Sequence, residues 1–389
     1  MRESTMTTHN EENAVPSSPS VIDDHGVEEE TIGGEIHAPF DPEKIDINTK
    51  TLTIDLAMSR LRHRDIDLQP DFQRQAGIWT STKQSQLIES MLLKIPLPLF
   101  YASEDEQERW AIVDGIQRLS TIARFIEPSL VESEPLRLSG LEYLTDFEGK
   151  VFDDLPARLK RRLHETEILL HVIRHTTPEE VKFNIFGRLN TGGEPLTMQE
   201  LRHALTPGIA RSYLKELAEG DAFQEATARS VPGRRMADRE MVLRYIAFSQ
   251  DAPESYTNKD FNEFLRQAMK QINGLTNEQR EEIRASLERA MQCARDIFAN
   301  DAFRKRYKAG AGRSPINKAL FEAIAVNLAR FDDDQQTRLV ERKEPVQSRF
   351  QDLMNTYEFN NAVSQGTGDP RKVRYRFEQI RLMFEQVLT

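Results

Sequence analysis

The most informative stretch of the chain is RWAIVDGIQRLSTI, residues 109–122. It begins with a short apolar run of β-prone residues, Trp110 to Val113, and then breaks at Asp114-Gly115. From Leu119 onward, apolar residues recur at the spacing of one helix face. The stretch therefore predicts a buried strand, a sharp polar turn and a helix.

This turn has the chemistry of an anion site. A helix N-terminus carries backbone N–H groups without intrahelical acceptors, together with the positive end of the helix dipole. Gly115 allows close approach to the backbone, and Arg118 supplies a guanidinium that suits phosphate. We therefore expect the turn to bind a nucleotide or polynucleotide phosphate. The alternative is that Asp114 and Arg118 only pair with each other across the turn.

The bulk composition is that of a globular and rather polar chain. Its 389 residues predict two or three domains, with 38% hydrophobic and 30% charged residues. A single cysteine, Cys293, excludes an internal disulfide and a Cys-rich zinc site, and we expect it to be a packed thiol. The sequence contains neither an apolar signal segment nor a run long enough to span a membrane, so we expect a cytoplasmic protein.

The net charge of −11 lies mostly at the N-terminus, because residues 1–50 contain 12 acidic and three basic residues. The remainder is nearly balanced, with 49 basic and 51 acidic residues, so any nucleic-acid site would have to be a local patch. The low apolar content of residues 1–45 predicts a disordered acidic tail. That tail is either a solvated leader without a specific role or an acidic mimic of nucleic acid that covers a basic site.

Residues 46–205 have the pattern of a mixed α/β domain. Strands are predicted near residue 52, at 99–101, at 110–113 and at 167–173, and the second and third of these form a hairpin. Helices are predicted at 55–64 and 157–164, and three more begin near Ser81, Thr177 and Thr197, each at a residue that can cap a helix.

Residues 206–389 are predicted to be almost entirely helical. Helical spacing of apolar residues occurs at 210–219, 236–249, 258–272, 277–298, 316–331, 345–357 and 371–387. Ser314-Pro315 resembles the start of the fifth of these helices. Basic islands lie at 229–239, 304–313 and 371–376, and the aromatic residues Phe303, Tyr307, Tyr375 and Phe377 are interleaved with the second and third. These islands are either solvated helix faces or a nucleic-acid surface.

A series of separated motifs in the first half has a family resemblance. The motifs are PDFQR at 70–74, Trp79, LIESMLL at 87–93, IPLP at 95–98, VDGIQRL at 113–119, FGRLNTGG at 186–193 and LT at 196–197. In this order they resemble the N-terminal domain of GmrSD-type restriction endonucleases, over roughly residues 50–205. The resemblance implies a fold similar to ParB and sulfiredoxin, followed here by the helical domain.

The resemblance also implies an activity. In that family the equivalent turn is associated with nucleotide binding and NTP hydrolysis, and well-understood members act in bacterial defence against phage DNA. We therefore expect a nucleoside triphosphate with Mg²⁺ as ligand. The implied catalytic residues are Asp114 and Arg118, and the implied nucleotide- or phosphate-binding residues are Gln73, Arg74, Gly115, Gln117, Arg188 and Asn190. Ile116 departs from the pattern, because many members have glutamine there.

These residue types suit phosphoryl transfer, which depends mainly on positioning and charge neutralisation. Arg74 and Arg118 could hold phosphate oxygens, Asn190 could bind the ribose or base, and Asp114 could hold Mg²⁺, orient water or fix Arg118. The alternatives are structural. Arg74 and Arg188 could instead pair with Asp71 or Glu89, and Asn190 could cap a helix.

The second half lacks the HNH-type nuclease that many members of this family carry. None of its histidines forms a His-Asn-His or zinc-like grouping, and we expect no resident metal site. We therefore expect a nucleotide-binding sensor without a nuclease of its own, with DNA and an effector protein as candidate partners, no membrane association, and self-assembly left open. The alternatives are a non-enzymatic DNA- or protein-binding module that controls a separate effector nuclease, and a ParB-like nuclease without a recognisable motif.

Overall fold

A computed structural model of the chain describes residues 26–28, 30, 42–68, 79–188, 196–231, 233–257, 260–310 and 312–389. Gln73, Arg74 and Asn190, three of the residues assigned to the nucleotide site, lie outside the described residues. The described residues form an α/β part followed by a helical part, as the sequence predicts.

The α/β part is built on one mixed sheet of five strands. They are β1 (Ile47–Thr53), β2 (Ile66–Asp67), β3 (Phe100–Glu104), β4 (Trp110–Asp114) and β5 (Glu167–Ile173). Their order is β1-β5-β3-β4-β2, in which β5 pairs with β3 and β2 pairs with β4 in parallel, and the other two pairs are antiparallel. The predicted β3–β4 hairpin is confirmed. Strand β2 has only two residues, too few for a detectable pattern.

Six helices cover the two faces of this sheet. They are α1 (Ile54–Arg62), α2 (Ser81–Leu92), α3 (Ile116–Ile126), α4 (Ala157–Glu165), α5 (Glu179–Arg188) and α6 (Met198–Leu205). Apolar residues of α1 to α4 bury one face, whereas α5 and α6 pack on Val113 and Ile173 of the other. The predicted cap at Thr197 is confirmed. Helix α2 is capped one residue earlier than predicted, because the Thr80 hydroxyl accepts the Lys83 N–H at 3.3 Å.

The helical part has its own hydrophobic core. Its helices are α7 (Ile209–Glu219), α8 (Asp221–Ala226), α9 (Ala237–Gln250), α10 (Phe261–Gly274), α11 (Asn277–Phe298), α12 (Lys318–Ala329), α13 (Asp333–Glu341), α14 (Lys343–Met354), α15 (Tyr357–Ser364) and α16 (Pro370–Leu388). All seven predicted helices are present, and the three short helices α8, α13 and α15 were not predicted. Within the described ranges, no helix is both long enough and apolar enough to cross a membrane.

The predicted start of α12 at Ser314-Pro315 is wrong. The cap is Asn317, whose side-chain oxygen accepts the Leu320 N–H at 2.8 Å. The residue before it, Ile316, is instead held in a β-bridge with Val27 from the N-terminal region. A proline after serine is a common helix start, but here an extended pairing moves the cap three residues along the chain, from Ser314 to Asn317.

Several arginines of the basic islands lie inside the helical part. Arg239, Arg304 and Arg376 are buried. Arg304 donates to the Asn300 carbonyl at 3.2 Å and to the Ser230 hydroxyl at 2.7 Å, and Arg376 pairs with the buried Glu322. For these three residues, neither a solvated face nor an open nucleic-acid surface is correct. The guanidinium groups of Arg304 and Arg376 bind partners within the fold, whereas Arg371 at the start of α16 is exposed.

Cys293 is buried on α11, as expected for a packed thiol. Burial raises the pKa of its thiol to about 12, and the nearby Asp296 adds to that rise. Because the thiolate is the reactive form, this cysteine is a poor nucleophile at neutral pH.

Candidate functional site

The turn between β4 and α3 can be made only with glycine at position 115. Gly115 follows Asp114, the last residue of β4, and precedes the first residue of α3 with a φ of +96°. A Cβ atom on this residue would lie 2.3 Å from Cδ1 of the Phe100 ring. Both the left-handed backbone and the contact with Phe100 therefore exclude a side chain.

We expect Gly115→Ala to lower the free energy of unfolding by about 1–3 kcal/mol, because the new methyl group strains the turn and displaces Phe100. Urea denaturation followed by circular dichroism would measure the loss. Gly149→Ala is the matched control, since Gly149 has a φ of +75° but open space around it. Equal losses in the two variants would show that the contact with Phe100 contributes nothing.

Arg118 is held by the chain's own oxygens. Its guanidinium donates to the Pro98 carbonyl, to the Leu99 carbonyl at 3.0 Å and to Asp114 Oδ2 at 2.9 Å. It also lies over the Phe100 ring, 4.3 Å from the centroid. Burial lowers the pKa of Arg118, and the adjacent Asp114 opposes that change. The expected pair between Asp114 and Arg118 is thus present. Arg118 also binds the Pro98 and Leu99 carbonyls, in the segment before β3.

Asp114 and Gln117 are the partly exposed side chains of the turn and the start of α3. The Asp114 side chain is 32% exposed, and Gln117 is half-buried on the first turn of the helix. Gly115 offers no side chain to cap α3, so backbone N–H groups define this helix end. The arrangement places a carboxylate beside a helix N-terminus, which combines a cation ligand with anion donors.

The structure brings four of the eight predicted site residues together: Asp114, Gly115, Gln117 and Arg118. Arg188 is the exposed last residue of α5, whose Phe186 shares an apolar cluster with Val113, the residue before Asp114. Helix α5 is therefore packed beside the strand that ends in the turn.

Glu89 is one alternative partner for the predicted arginines. Its carboxylate accepts the backbone N–H groups of residues 142–144. Burial raises the pKa of Glu89, but these hydrogen bonds outweigh burial and lower it.

Sequence reasoning missed a row of polar side chains that crosses the sheet at the level of Asp114. Tyr101 is opposite Asp114 on one side and opposite His171 on the other, and His171 is opposite Thr49. The Tyr101 and His171 rings meet edge to face at 5.4 Å, and the Thr49 hydroxyl lies 2.8 Å from His171 Nδ1. These residues are adjacent only because β5 lies between β1 and β3, which no local pattern indicates.

The described residues contain no cluster of three or more His, Cys, Asp or Glu side chains that could hold a metal ion by themselves. Asp114 is a single carboxylate at the turn. Mg²⁺ commonly binds one or two protein carboxylates together with substrate phosphates and water. The donor set at the turn therefore fits a Mg²⁺ ion that arrives with a nucleotide better than a resident metal.

A separate cleft of about 800 Å³ opens at the other end of β4, where its lining includes Trp110, Glu104 and Lys182. The buried Glu104 carboxylate accepts from Trp110 Nε1 and from Arg174 Nε, both at 3.3 Å. Desolvation lowers the pKa of Lys182, whose Nζ donates to the Glu104 carbonyl. The described lining of this cleft does not include the turn, so the two features are distinct.

The described residues between 47 and 205 thus form an α/β part in which a strand, a glycine turn and a helix follow one another. The family model described as GmrSD restriction endonuclease, N-terminal domain, matches residues 58–206. This segment of the chain therefore belongs to the GmrSD N-terminal domain family, as its motifs indicated. The match contains the whole turn and helices α2 to α6. No curated protein matches the chain.

Proposed function

We propose that this chain binds a nucleoside triphosphate at the β4–α3 turn and hydrolyses it as a component of a bacterial, DNA-directed, restriction-like defence system. The observation that carries the proposal is the turn itself, where Gly115 joins Asp114 to the N-terminus of α3. The family match over residues 58–206, a domain named for restriction endonucleases, supports the link to defence.

In this proposal the phosphates lie against the N-terminus of α3 and the side chain of Gln117. Mg²⁺ bound with the nucleotide would neutralise the phosphate charge, as phosphoryl transfer requires. Asp114 holds that cation or orients the attacking water. Arg118 is a positioning residue in this geometry, because it fixes Asp114 while it donates to the Pro98 and Leu99 carbonyls. Gln73, Arg74, Arg188 and Asn190 remain the expected contributors from the flanking segments.

The test is phosphate release from ATP, GTP, CTP and UTP by the full chain, with Mg²⁺ and with or without DNA. We expect turnover with at least one nucleotide and a loss of about 100-fold in Asp114→Asn, because an amide is a weak cation ligand and cannot act as a base. Asp153→Asn is the matched control, since the Asp153 side chain is 92% exposed and outside the turn. It should retain wild-type turnover.

A second function is supported by the contacts of Arg118, whose guanidinium donates to three oxygens of the chain itself. A turn in which this arginine is already bound can bind an anion without hydrolysing it. The chain would then be a non-enzymatic module that binds DNA or a protein and controls a separate effector nuclease. Absence of turnover with all four nucleotides, with and without DNA, would exclude the enzyme and leave this module. Nicking of plasmid DNA by the purified chain would contradict the non-enzymatic module and show that the chain is itself a nuclease.

A further inference from the structure

Part of the acidic N-terminal region pairs with the helical part through an isolated β-bridge, in contrast to the disordered tail expected from composition. Val27 makes a parallel β-bridge with Ile316. The Glu28 N–H donates to the Ile316 carbonyl at 2.7 Å, and the Ile316 N–H donates to the Gly26 carbonyl at 3.1 Å. The backbone of this segment is therefore recognised as a strand would be.

The side chains of the segment are recognised individually. Val27 is fully buried and belongs to the apolar core of the helical part. Glu28 pairs with Lys305, and the Asn317 side-chain amide donates to Glu28 Oε2 at 3.0 Å. Val27 therefore packs in the apolar core, and Glu28 binds Lys305 and Asn317, which lie in the loop before α12.

Glu30 makes the deepest contact of the segment. The Arg244 guanidinium donates to both of its carboxylate oxygens, at 3.1 and 2.5 Å, and the Thr367 hydroxyl donates to Oε1. Arg244 is completely buried, and its charge lowers the pKa of Glu30 although burial opposes that shift. This is a bidentate arginine–carboxylate pair, the geometry with the greatest directional selectivity for an anion.

The ion pairs around Arg244 contain more basic than acidic side chains when Glu30 is left out. Arg244 also contacts Glu240 and Glu322, and these two acids pair in turn with Arg202, Lys318 and Arg376. Without Glu30 the ion pairs of this cluster contain four basic and two acidic side chains, and the charge of Asp260 also acts on Arg202. The basic side chains then outnumber the acidic ones by one, and Glu30 supplies the carboxylate that balances the cluster.

We propose that the helical part carries a groove for an extended acidic peptide of the pattern Gly-Val-Glu-x-Glu, and that the described residues Gly26, Val27, Glu28 and Glu30 are its built-in ligand. The groove is selective for peptide, because it pairs with backbone groups at Ile316 and buries the Val27 side chain. A polynucleotide provides neither of these features. A tethered ligand has a high effective concentration, so an external acidic peptide binds only where the chain's own segment is weakened or outcompeted.

The first test uses a full-length Glu28→Gln/Glu30→Gln variant and a fluorescent peptide of residues 21–35. We expect saturable one-to-one binding, about tenfold or more tighter to the variant than to the wild-type chain, whose groove is filled. The same peptide with both glutamates changed to glutamine should not bind. A Glu106→Gln/Glu108→Gln variant, changed at two exposed acids of the β3–β4 loop, should behave as wild type.

The second test uses the wild-type chain and remains decisive if the double variant does not fold. Residue-resolved hydrogen exchange is measured with and without excess unlabelled peptide. We expect the Glu28 N–H to lose protection while the Ile316 N–H keeps it, because the added peptide replaces residues 26–30 on the same groove. Unchanged exchange at both amides, or failure of the peptide to bind a folded double variant, would show that the segment is a fixed part of the fold and overturn the proposal.

Discussion

Glu322→Gln is expected to lower the free energy of unfolding by about 3–5 kcal/mol, the loss typical when one partner of a buried ion pair is removed. Glu322 has no exposed surface, and its Oε1 accepts from Arg376 Nε at 3.1 Å. Its Oε2 lies 3.5 Å from Arg244 NH1. Glutamine keeps the shape of the side chain but removes its negative charge and replaces one acceptor oxygen by an NH2 donor, so the loss reports both the charge and one lost acceptor.

Urea denaturation of the full chain would measure this effect. Glu378→Gln is the matched control, because Glu378 is exposed on α16, the helix that also carries Arg376. We expect the control to change the free energy of unfolding by less than about 0.5 kcal/mol. A Glu322→Gln variant as stable as the control would mean that Arg244 and Arg376 are satisfied without this carboxylate, and it would weaken the charge argument for the groove.

The parts of the molecule that sequence predicted well are local. The strand, turn and helix of residues 110–126 follow from an apolar run, a glycine and helical periodicity within one short stretch. The cap at Thr197 is equally local. The short helices α8, α13 and α15 have too few turns for a clear period, and β2 owes its existence to its pairing with β4.

The buried charges could not be predicted, because their partners are far apart in sequence. Arg244 binds a glutamate 214 residues earlier and another 78 residues later. In the sequence, an arginine in a basic run is typical of a solvated face, and only the packing of the helices shows that Arg376 is internal. The same limit applies to Val27, Glu28 and Glu30. The acidic composition around them indicates disorder, although their backbone pairing and side-chain contacts depend on residues beyond 240.

The sequence was enough to place four of the predicted site residues at one turn, whereas the contacts of their side chains depend on more distant parts of the chain. Asp114, Gly115, Gln117 and Arg118 are consecutive or nearly so, and the turn fixes their relation. The direction of the Arg118 side chain depends on two carbonyl groups that lie 19 and 20 residues earlier in the chain. Because Arg118 binds these carbonyl groups, loss of activity in an Arg118 variant would not by itself show that Arg118 contacts a phosphate.

Arg118→Ala is expected to lower the free energy of unfolding by about 2–4 kcal/mol, since it removes hydrogen bonds from a charged donor to three oxygens and the contact with Phe100. Arg62→Ala is the control: the Arg62 side chain is 42% exposed and pairs with Glu127, and such surface pairs contribute about 0.2–1 kcal/mol. Urea denaturation without nucleotide gives both values. A loss no greater than that of Arg62→Ala would contradict the structural role of Arg118.

The nucleotide-induced rise in melting temperature then separates positioning from direct phosphate binding. If Arg118 acts by fixing Asp114, the nucleotide that the wild type hydrolyses should raise the melting temperature of Arg118→Lys by an amount close to that of the wild type, while turnover falls. Lysine keeps a positive charge but cannot donate to three separated oxygens in the same plane. If Arg118 holds a phosphate directly, the nucleotide-induced shift falls together with turnover. The Asp114→Asn variant tells the two cases apart further, because only in the positioning case should it lose turnover to the same extent as Arg118→Lys while both still bind the nucleotide.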